Sequence, residues 1–220
     1  MNYKSCSTIA IETLQESSTP KKTTSFYMIT GMIRPSSGDV YFDEQNITNM
    51  PMYKRARMGM GYLAQEPSIF VKLTVEDNLR LVLQVTGMDK DSQEERLEEL
   101  LDEFSIKHIR KNKAMMLSGG ERRRTEIARS LIMNPDFILL DEPFAGIDPI
   151  AVEDIQGIIQ ILKNKGIGIL ITDHNVRETL SITDRAYLLY DGMLLKHGTV
   201  DELSNDEEVR RLYLGSKFSM

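Results

Sequence analysis

Cysteine is nearly absent from this 220-residue chain, which contains only Cys6. A single cysteine cannot form a disulfide within the chain or a cysteine-rich zinc site, and such usage is typical of a reducing compartment. Apolar runs of about 18 residues are also lacking, so no segment is predicted to span a bilayer. The first residues have no continuous apolar segment of the kind found in export signals, and we therefore expect a cytosolic protein.

Positive charge is not in excess either. The chain has 27 Lys and Arg against 33 Asp and Glu, which gives a net charge of −6. This balance creates no overall positive field and disfavours a protein that coats nucleic acid. The basic runs at 54–57 and 121–124 are therefore expected to be solvated faces. With 41% apolar residues, the composition is typical of one large folded domain or a domain with a subdomain.

Apolar runs alternate with helical patterns, as expected for a largely parallel sheet covered by helices. The runs predicted as strands are 40–42, 59–63, 137–140, 168–171, 186–190 and 193–196. The last two runs flank Asp191-Gly192, which predicts a hairpin turn. The sheet is thus expected to be mixed, with an antiparallel strand at one edge.

Residues 74–134 have an almost purely helical pattern. Leu97, Leu100, Leu101 and Phe104 share one face at helical spacing. We expect this segment to be a helical subdomain inserted in a single α/β domain that covers residues 1–220. Residues 1–21 are its atypical N-terminal segment, and the tail from residue 200, with a helix-like stretch at 206–213, should pack on the same domain.

Ser118, Gly119 and Gly120 stand at the predicted start of a helix. Unpaired backbone N–H groups and the positive end of the helix dipole, together with the Ser118 hydroxyl, suit an anion such as a phosphate. The alternative is that Ser118 only caps a surface helix.

Asp141 and Glu142 directly follow the apolar run at 137–140. A buried parallel strand delivers them to the carboxyl edge of the sheet, where such sheets bind ligands and where a carboxylate can hold Mg²⁺ through water. Glu142 would then polarise an attacking water. His174 follows the run at 168–171 at the same edge, which favours a functional role over a structural one.

Five motifs occur in an order that is typical of one family. They are Gln65, Leu117-Ser118-Gly119-Gly120-Glu121, Leu140-Asp141-Glu142-Pro143, Gly146-Ile147-Asp148 and His174. Over about residues 22–220 the chain thus resembles the ATP-binding subunits of ABC transporters. The resemblance implies a P-loop NTPase (ABC ATPase) fold of the α/β class, with a mixed sheet, an inserted helical subdomain and N-terminal strands that are short or missing.

The same resemblance implies the roles of particular residues. Glu142 and His174 would be catalytic, and Asp148 would lie in the loop that contacts a second ATPase subunit in a homodimer. The residues implied in ATP binding are Lys22, Thr23, Thr24, Gln65, Asp141, Ser118, Gly119 and Gly120.

The implied cofactors are ATP and Mg²⁺, with the metal held by Thr23, Gln65 and Asp141. Ile69 and Phe70 would present an apolar surface to integral membrane permease subunits. The resemblance further implies a protein that is cytoplasmic and peripheral on the inner face of the inner membrane, without inserting into it and without binding nucleic acid.

Longer stretches narrow the resemblance to one branch of the family. Residues 51–57, 65–70, 172–180 and 213–215 with Phe218 resemble the ATPases of lipopolysaccharide export. The ATPase subunits of branched-chain amino-acid importers are the nearest relatives with which this branch can be confused, and they remain an alternative.

The phosphate-binding loop departs from the family pattern Gly-x-x-x-x-Gly-Lys-[Ser/Thr]. The matching window at 16–24 keeps Lys22 and the two threonines, but Glu16, Thr19 and Lys21 stand at the glycine positions. Only 21 residues precede Lys22, which is short for the opening strands of the family. Two explanations remain open: a gene-model or frame error that replaces the true N-terminus, or a genuine variant with impaired nucleotide binding that serves as a non-hydrolysing subunit.

Overall fold

A mixed sheet of six strands forms the centre of the structure, a computed structural model that describes residues 8–13, 21–190 and 193–210. In chain order the strands are β1 (Thr8–Thr13), β2 (Tyr41–Phe42), β3 (Gln45–Asn46), β4 (Met60–Leu63), β5 (Phe137–Asp141), β6 (Gly168–Thr172), β7 (Arg185–Tyr190) and β8 (Met193–Thr199). The spatial order in the main sheet is β4-β5-β6-β1-β7-β8. All neighbours are parallel except β7 and β8, which are antiparallel.

Most predicted strands are confirmed with small shifts at their ends. The mixed sheet and its antiparallel edge are present, because Tyr190 pairs with Met193 across the β7–β8 hairpin. The turn at Asp191-Gly192 itself lies outside the described residues. The run at 40–42 lies outside the main sheet, since β2 pairs with β3 in a separate two-stranded sheet.

Strand β1, with six residues, is the strand that the described part of the N-terminal segment contains, where strands that are short or missing were expected. It lies in the middle of the sheet, where Thr8 pairs with Ile169 of β6 and Ile9 pairs with Arg185 of β7. Backbone hydrogen bonds on both edges explain why this segment is a strand despite its weak alternation, since sheet context outweighs intrinsic propensity.

The helices cover the sheet and form the helical segment after β4. They are α1 (Lys21–Thr30), α2 (Met52–Arg57), α3 (Val75–Leu83), α4 (Lys90–Glu103), α5 (Gly119–Ser130), α6 (Pro149–Asn164), α7 (Val176–Leu180), α8 (Val200–Ser204) and α9 (Glu207–Val209). Side-chain caps define where several of them begin: Thr74 accepts from the Asp77 N–H at the start of α3, and Asp89 does the same from Ser92 for α4. In the described part of the chain, no helix is both long and apolar enough to cross a membrane.

The predicted apolar face of α4 is buried. Leu97, Leu100, Leu101 and Phe104 belong to one large core that also includes residues of α3, α5, α6 and the sheet. Of the predicted helical stretch at 206–213, α9 occupies Glu207–Val209, and the residues beyond 210 lie outside the described part.

Two buried arginines correct the expectation that the basic runs are solvated faces. Arg55 and Arg123 are 2% and 6% exposed. Their guanidinium groups donate mainly to main-chain carbonyl oxygens, which compensates the loss of water around a buried charge. One arginine in each run therefore faces the interior.

Candidate functional site

The carboxyl ends of β5 and β6 bring the predicted acids and their partners together. Asp141 pairs with Thr172 in the parallel register of the two strands. The Thr172 hydroxyl donates a 2.7 Å hydrogen bond to Oδ1 of Asp141, and the Tyr62 hydroxyl lies 3.4 Å from Oδ2. Burial and the Asp141 carboxylate both raise the pKa of Tyr62, so its hydroxyl stays protonated and able to donate.

Glu142 contacts two other predicted site residues, Gln65 and His174. Gln65 Nε2 donates a 2.8 Å hydrogen bond to Oε2 of Glu142, and His174 Nδ1 lies 3.3 Å from the same oxygen. The backbone of Glu142 has φ +44°, which is uncommon for a residue other than glycine, and its N–H donates to the Thr172 carbonyl at 2.7 Å. Contacts from two segments, the loop after β4 and the end of β6 with the loop that follows it, therefore hold Glu142 at a tight turn.

Asp173 is a buried acid that the sequence analysis did not select. Its Oδ2 accepts from the Phe144 N–H at 3.2 Å and its Oδ1 accepts from the Asn175 N–H at 2.9 Å. Oδ1 also lies 3.6 Å from Nδ1 of His174. Asp173 thus fixes the loop that carries His174 against the loop that follows Glu142.

Arg123 is the second residue that the sequence analysis missed. Its Nη1 donates to the Ala64 carbonyl at 2.9 Å and its Nη2 donates to the Asp141 carbonyl at 3.1 Å. Burial lowers the pKa of Arg123, although the nearby Glu126 acts in the opposite direction. Arg123 thus links Ala64, which precedes Gln65, to Asp141, which precedes Glu142. This link sets the distance between Gln65 and Glu142. The position of Arg123, four residues before the buried Ile127, is the helical signal that could have identified it.

The loop after Gln65 is tied to α5 by two further side chains. Glu126 Oε1 accepts from the N–H groups of Ser68 and Ile69 at 2.7 and 3.2 Å. Arg129 Nη2 donates to the Ser68 carbonyl at 2.8 Å. The loop therefore moves with α5 rather than independently.

Ser118 caps α5, as the alternative prediction states. Its hydroxyl oxygen accepts a hydrogen bond from the Glu121 N–H at 3.3 Å. In return, Oε2 of Glu121 accepts two hydrogen bonds of 2.8 Å, one from the Ser118 hydroxyl and one from the Ser118 N–H. The hydrogen bond from the Ser118 N–H, and to a smaller extent the one from the Ser118 hydroxyl, lowers the pKa of the Glu121 carboxyl. Ser118 and Gly119 are exposed at the start of a 12-residue helix, so the cap does not remove them from solvent.

Gly119 and Gly120 allow α5 to approach the loop and helix that follow β5. A Cβ atom at Gly120 would lie 2.7 Å from Cβ of Ala151, whereas one at Gly119 would lie 3.3 Å from Ile147. Asp148 caps α6 in the same region by accepting from the Ala151 N–H at 3.0 Å. The two glycines thus have a packing role that the sequence analysis did not include.

Lys22, Thr23 and Thr24 lie in the first turn of α1. Phe26 in the same helix is fully buried against Leu139 and packs α1 on the sheet. Residues 14–20, which include the glycine positions at Glu16 and Thr19, and the side chains of Lys21 and Lys22 lie outside the described part, whereas the third glycine position, Lys21, begins α1.

Ile69 and Phe70 are placed differently from each other. Ile69 is 6% exposed and belongs to the core, so the expectation that it presents an apolar surface is wrong. Phe70 is 50% exposed, and its ring lies 5.5 Å from the Arg129 guanidinium. Asn78 holds the main chain of Phe70 from both sides, accepting from its N–H at 2.9 Å and donating to its carbonyl at 3.1 Å.

A cavity of about 220 Å³ lies beside this exposed ring and shares Arg129 with it. Its other lining residues include Met52, Met60, Tyr62 and Met133, and the lining is mostly apolar. The sequence pattern gives no sign of this cavity, because its walls come from the separate elements α2, β4 and α5.

The oxygen atoms near Asp141 have the chemistry that Mg²⁺ prefers. The Gln65 amide nitrogen is used by Glu142, which leaves the amide oxygen as a metal ligand. Each Asp141 oxygen has one protein donor and keeps a second lone pair. Among the described residues no group of three or more His, Cys, Asp and Glu could hold a metal alone. The donors thus fit a Mg²⁺ ion that keeps water and phosphate ligands.

Comparison with known proteins identifies the family. A family model described as ABC transporter matches residues 22–145. The chain is 56% identical over 199 residues to an uncharacterized ABC transporter ATP-binding protein of Rhizobium meliloti, with 90% of this chain and 74% of that protein covered. It is 52% identical over 200 residues to the lipopolysaccharide export system ATP-binding protein LptB of Haemophilus influenzae, with 90% and 83% covered.

A solved structure shares the fold. It is the ADP conformation of an ATP-binding cassette of an ABC transporter, with a TM-score of 0.79 and 28% identity over 97% of this chain and 89% of that one. The predicted P-loop NTPase fold is thereby confirmed. The chain belongs to the ATP-binding subunits of ABC transporters.

Proposed function

We propose that this chain binds and hydrolyses ATP as the motor subunit of a transporter that exports lipopolysaccharide from the inner membrane. The observation that carries the ATPase proposal is the contact of Gln65 and His174 with the same oxygen of Glu142. The similarity to LptB at 52% identity supports the choice of substrate class.

Glu142 would orient the attacking water. Its Oε2 is engaged by Gln65 and His174, which leaves Oε1 to accept a hydrogen bond from the water. Because its turn is fixed by the Thr172 carbonyl, the carboxylate needs little reorganisation before reaction. Catalysis would then depend mostly on positioning, as in other phosphoryl transfers to water.

His174 would contact the γ-phosphate. Its Nδ1 faces Glu142 and Asp173, so Nε2 is the nitrogen available to donate to a phosphate oxygen. The imidazole is 66% exposed, which leaves it accessible to a nucleotide that approaches the sheet edge.

Asp141, Gln65 and Thr23 would hold Mg²⁺. When bound, the ion supplies positive charge that neutralises the β- and γ-phosphate oxygens. Thr172 and Tyr62 would keep the Asp141 carboxylate in place, and Lys22 with Thr24 would bind phosphate at the start of α1.

A second copy of the chain would complete the site. ATP would lie between the residues above and the start of α5 in the other copy, where Ser118 and Gly119 are exposed and the backbone N–H groups of Gly119 and Gly120 stand at the positive end of the helix dipole. Asp148, exposed at the start of α6, would contact that copy in the same interface.

A membrane permease would dock on the apolar surface next to the loop after Gln65. Phe70 and Val71 are about half exposed there, and the 220 Å³ cavity provides space for a side chain of the partner. The chain would thus lie in the cytoplasm on the inner face of the inner membrane.

The ATPase proposal is tested with the full chain and Mg-ATP. We expect Mg-ATP to raise the melting temperature, since a ligand that binds only the folded state stabilises it. Glu142→Gln should keep this shift but release inorganic phosphate at least about 100-fold more slowly. No shift at millimolar Mg-ATP would reject the proposal and favour a non-hydrolysing subunit.

The substrate class is tested by depleting the chain in its host cell. We expect labelled lipopolysaccharide at the cell surface to fall while the uptake of branched-chain amino acids stays unchanged. A fall in amino-acid uptake with unchanged surface lipopolysaccharide would replace the export proposal by the importer alternative.

A further inference from the structure

Arg55 in α2 is a buried cation that binds main-chain oxygens. Its Nη1 donates to the carbonyls of Met28 and Ile29 at 2.9 and 2.6 Å, its Nη2 donates to Thr48 at 3.1 Å, and its Nε donates to Met50 at 2.8 Å. Among the described residues, no carboxylate lies within ion-pair distance of it. Four of its five N–H groups are thus used on backbone oxygens.

A buried guanidinium without an acidic partner is costly unless its donors are satisfied. Burial lowers the pKa of Arg55, which is the direction expected when no neighbouring negative charge offsets the loss of water. The planar fork reaches four carbonyls at once, which the single ammonium of a lysine cannot do. Position 55 therefore requires the shape of the arginine side chain and not only its positive charge.

Two of these carbonyls belong to the last turn of α1. The final carbonyls of a helix have no partner within the helix, and a cation there interacts favourably with the helix dipole. Gly31, just after α1, has φ +83°, and a Cβ atom there would lie 2.8 Å from Nε of Arg55. Glycine at this position thus permits the close approach of the guanidinium.

The opposite end of α1 carries Lys22, Thr23 and Thr24. A helix of ten residues is about 15 Å long and moves as a rigid unit. Phe26 fixes the middle of this unit to the sheet, whereas Arg55 fixes its C-terminal end. A shift at the C-terminal end therefore changes where the first turn lies.

We infer that Arg55 is a positioning residue for the nucleotide. Its hydrogen bonds to the C-terminal carbonyls of α1 set where Lys22, Thr23 and Thr24 contact the phosphates. The inference rests on the proposed ATPase function. It assigns to α2 an effect on ATP affinity that is separate from the catalytic contacts of Glu142.

The test compares Arg55→Lys with the unsubstituted full chain. We expect the KM for ATP to rise about fivefold while kcat changes less than twofold, because no catalytic side chain touches Arg55. We also expect faster hydrogen exchange at the amides of the first turns of α1. Gly31→Ala, which displaces the guanidinium from the other side, should have the same two effects and serves as the second variant if Arg55→Lys does not fold.

Leu203→Ala is the matched control. Leu203 is buried with Leu188, away from α1, so its truncation should lower the melting temperature without changing the KM for ATP or the exchange of α1. An unchanged KM and unchanged α1 exchange in both test variants would overturn the inference. If the unsubstituted chain hydrolyses no ATP, the proposed function fails, and the exchange of α1 alone decides whether Arg55 holds the helix.

Discussion

The side-chain amide of Gln65 donates a 2.8 Å hydrogen bond to Oε2 of Glu142 across 77 positions of sequence. The contact exists because β4 and β5 are parallel neighbours, with Leu63 opposite Leu140 just before the two strands end. A carboxylate that is tied to the loop after β4 moves when this loop moves. The arrangement therefore links the surface around Phe70 to the proposed catalytic group.

Replacement of Gln65 should reduce turnover without preventing binding. Gln65→Ala removes one donor from Glu142 and should lower kcat about tenfold, because the carboxylate is then less well oriented. Gln65→Glu should lower it further, since two carboxylates at this distance repel each other. Phosphate release gives kcat, and the melting shift with Mg-ATP checks binding. Equal kcat in Gln65→Ala and the unsubstituted chain would contradict the role of this hydrogen bond.

Thr172 should affect the use of Mg²⁺ through Asp141. Thr172→Val keeps the shape of the side chain but removes the donor to Oδ1, and we expect a higher Mg²⁺ concentration for half-maximal activity. Thr172→Ser retains the hydroxyl and is the matched control. A Mg²⁺ titration of phosphate release that gives the same midpoint for both variants would argue against the link.

Gly119 and Gly120 should respond differently to alanine. Alanine at Gly120 would place its Cβ 2.7 Å from Cβ of Ala151, and we expect destabilisation by about 1–3 kcal/mol from overpacking. Alanine at Gly119 meets Ile147 only at 3.3 Å and should be close to neutral, because the higher helix propensity of alanine offsets the tighter contact.

Urea unfolding of the two glycine variants gives this comparison. The double variant Gly120→Ala with Ala151→Gly should recover part of the lost stability, since it removes the atom that alanine meets. No recovery in the double variant would show that the cost arises elsewhere.

Glu76 should make stability depend on pH in the acidic range. Burial raises its pKa, but hydrogen bonds from Lys111 and Arg110 outweigh this and hold the pKa below the ordinary value of 4.5. The carboxylate therefore stabilises the folded state fully above pH 4.5, and this contribution is lost as the pH falls through the lower folded-state pKa.

Glu76→Gln should accordingly lower the free energy of unfolding by about 2 kcal/mol at pH 7. It should also make the free energy of unfolding depend less on pH below 4.5, the ordinary pKa of the Glu76 carboxyl. Glu94→Gln breaks the exposed pair with Arg80 and should cause a much smaller change, because solvent screens that pair. Urea unfolding at several pH values measures both. A parallel pH dependence in Glu76→Gln and the unsubstituted chain would be inconsistent with this origin.

The acids of the site could be predicted because they occupy simple positions in a parallel sheet. Asp141 and Glu142 follow one apolar run and His174 follows the next, and parallel strands bring such ends to one edge. Asp173 follows the same run as His174 and is open to the same argument, whereas Arg55 and Arg123 lie in helices and are not. The roles of the two arginines come from main-chain carbonyl groups of distant segments, and a run of charges gives no sign of those partners.

The weak points of the prediction have similar physical causes. Ile69 and Phe70 are adjacent apolar residues in a loop, and only the contacts of the loop with α5 decide which one is buried. The strand at Thr8–Thr13 has little alternation and depends on two neighbours that lie far away in sequence. In both cases tertiary contacts outweigh local pattern.

The central position of β1 has a consequence for how the chain folds during synthesis. β1 emerges from the ribosome before the other described strands, and its partners Ile169 and Arg185 come more than 150 residues later. At a translation rate of about 5–20 residues per second, the strand waits roughly 8–30 s before either edge can be paired. Its early exposure makes it a candidate ligand for chaperones, and both of its edges are paired only after β6 and β7 have been synthesised.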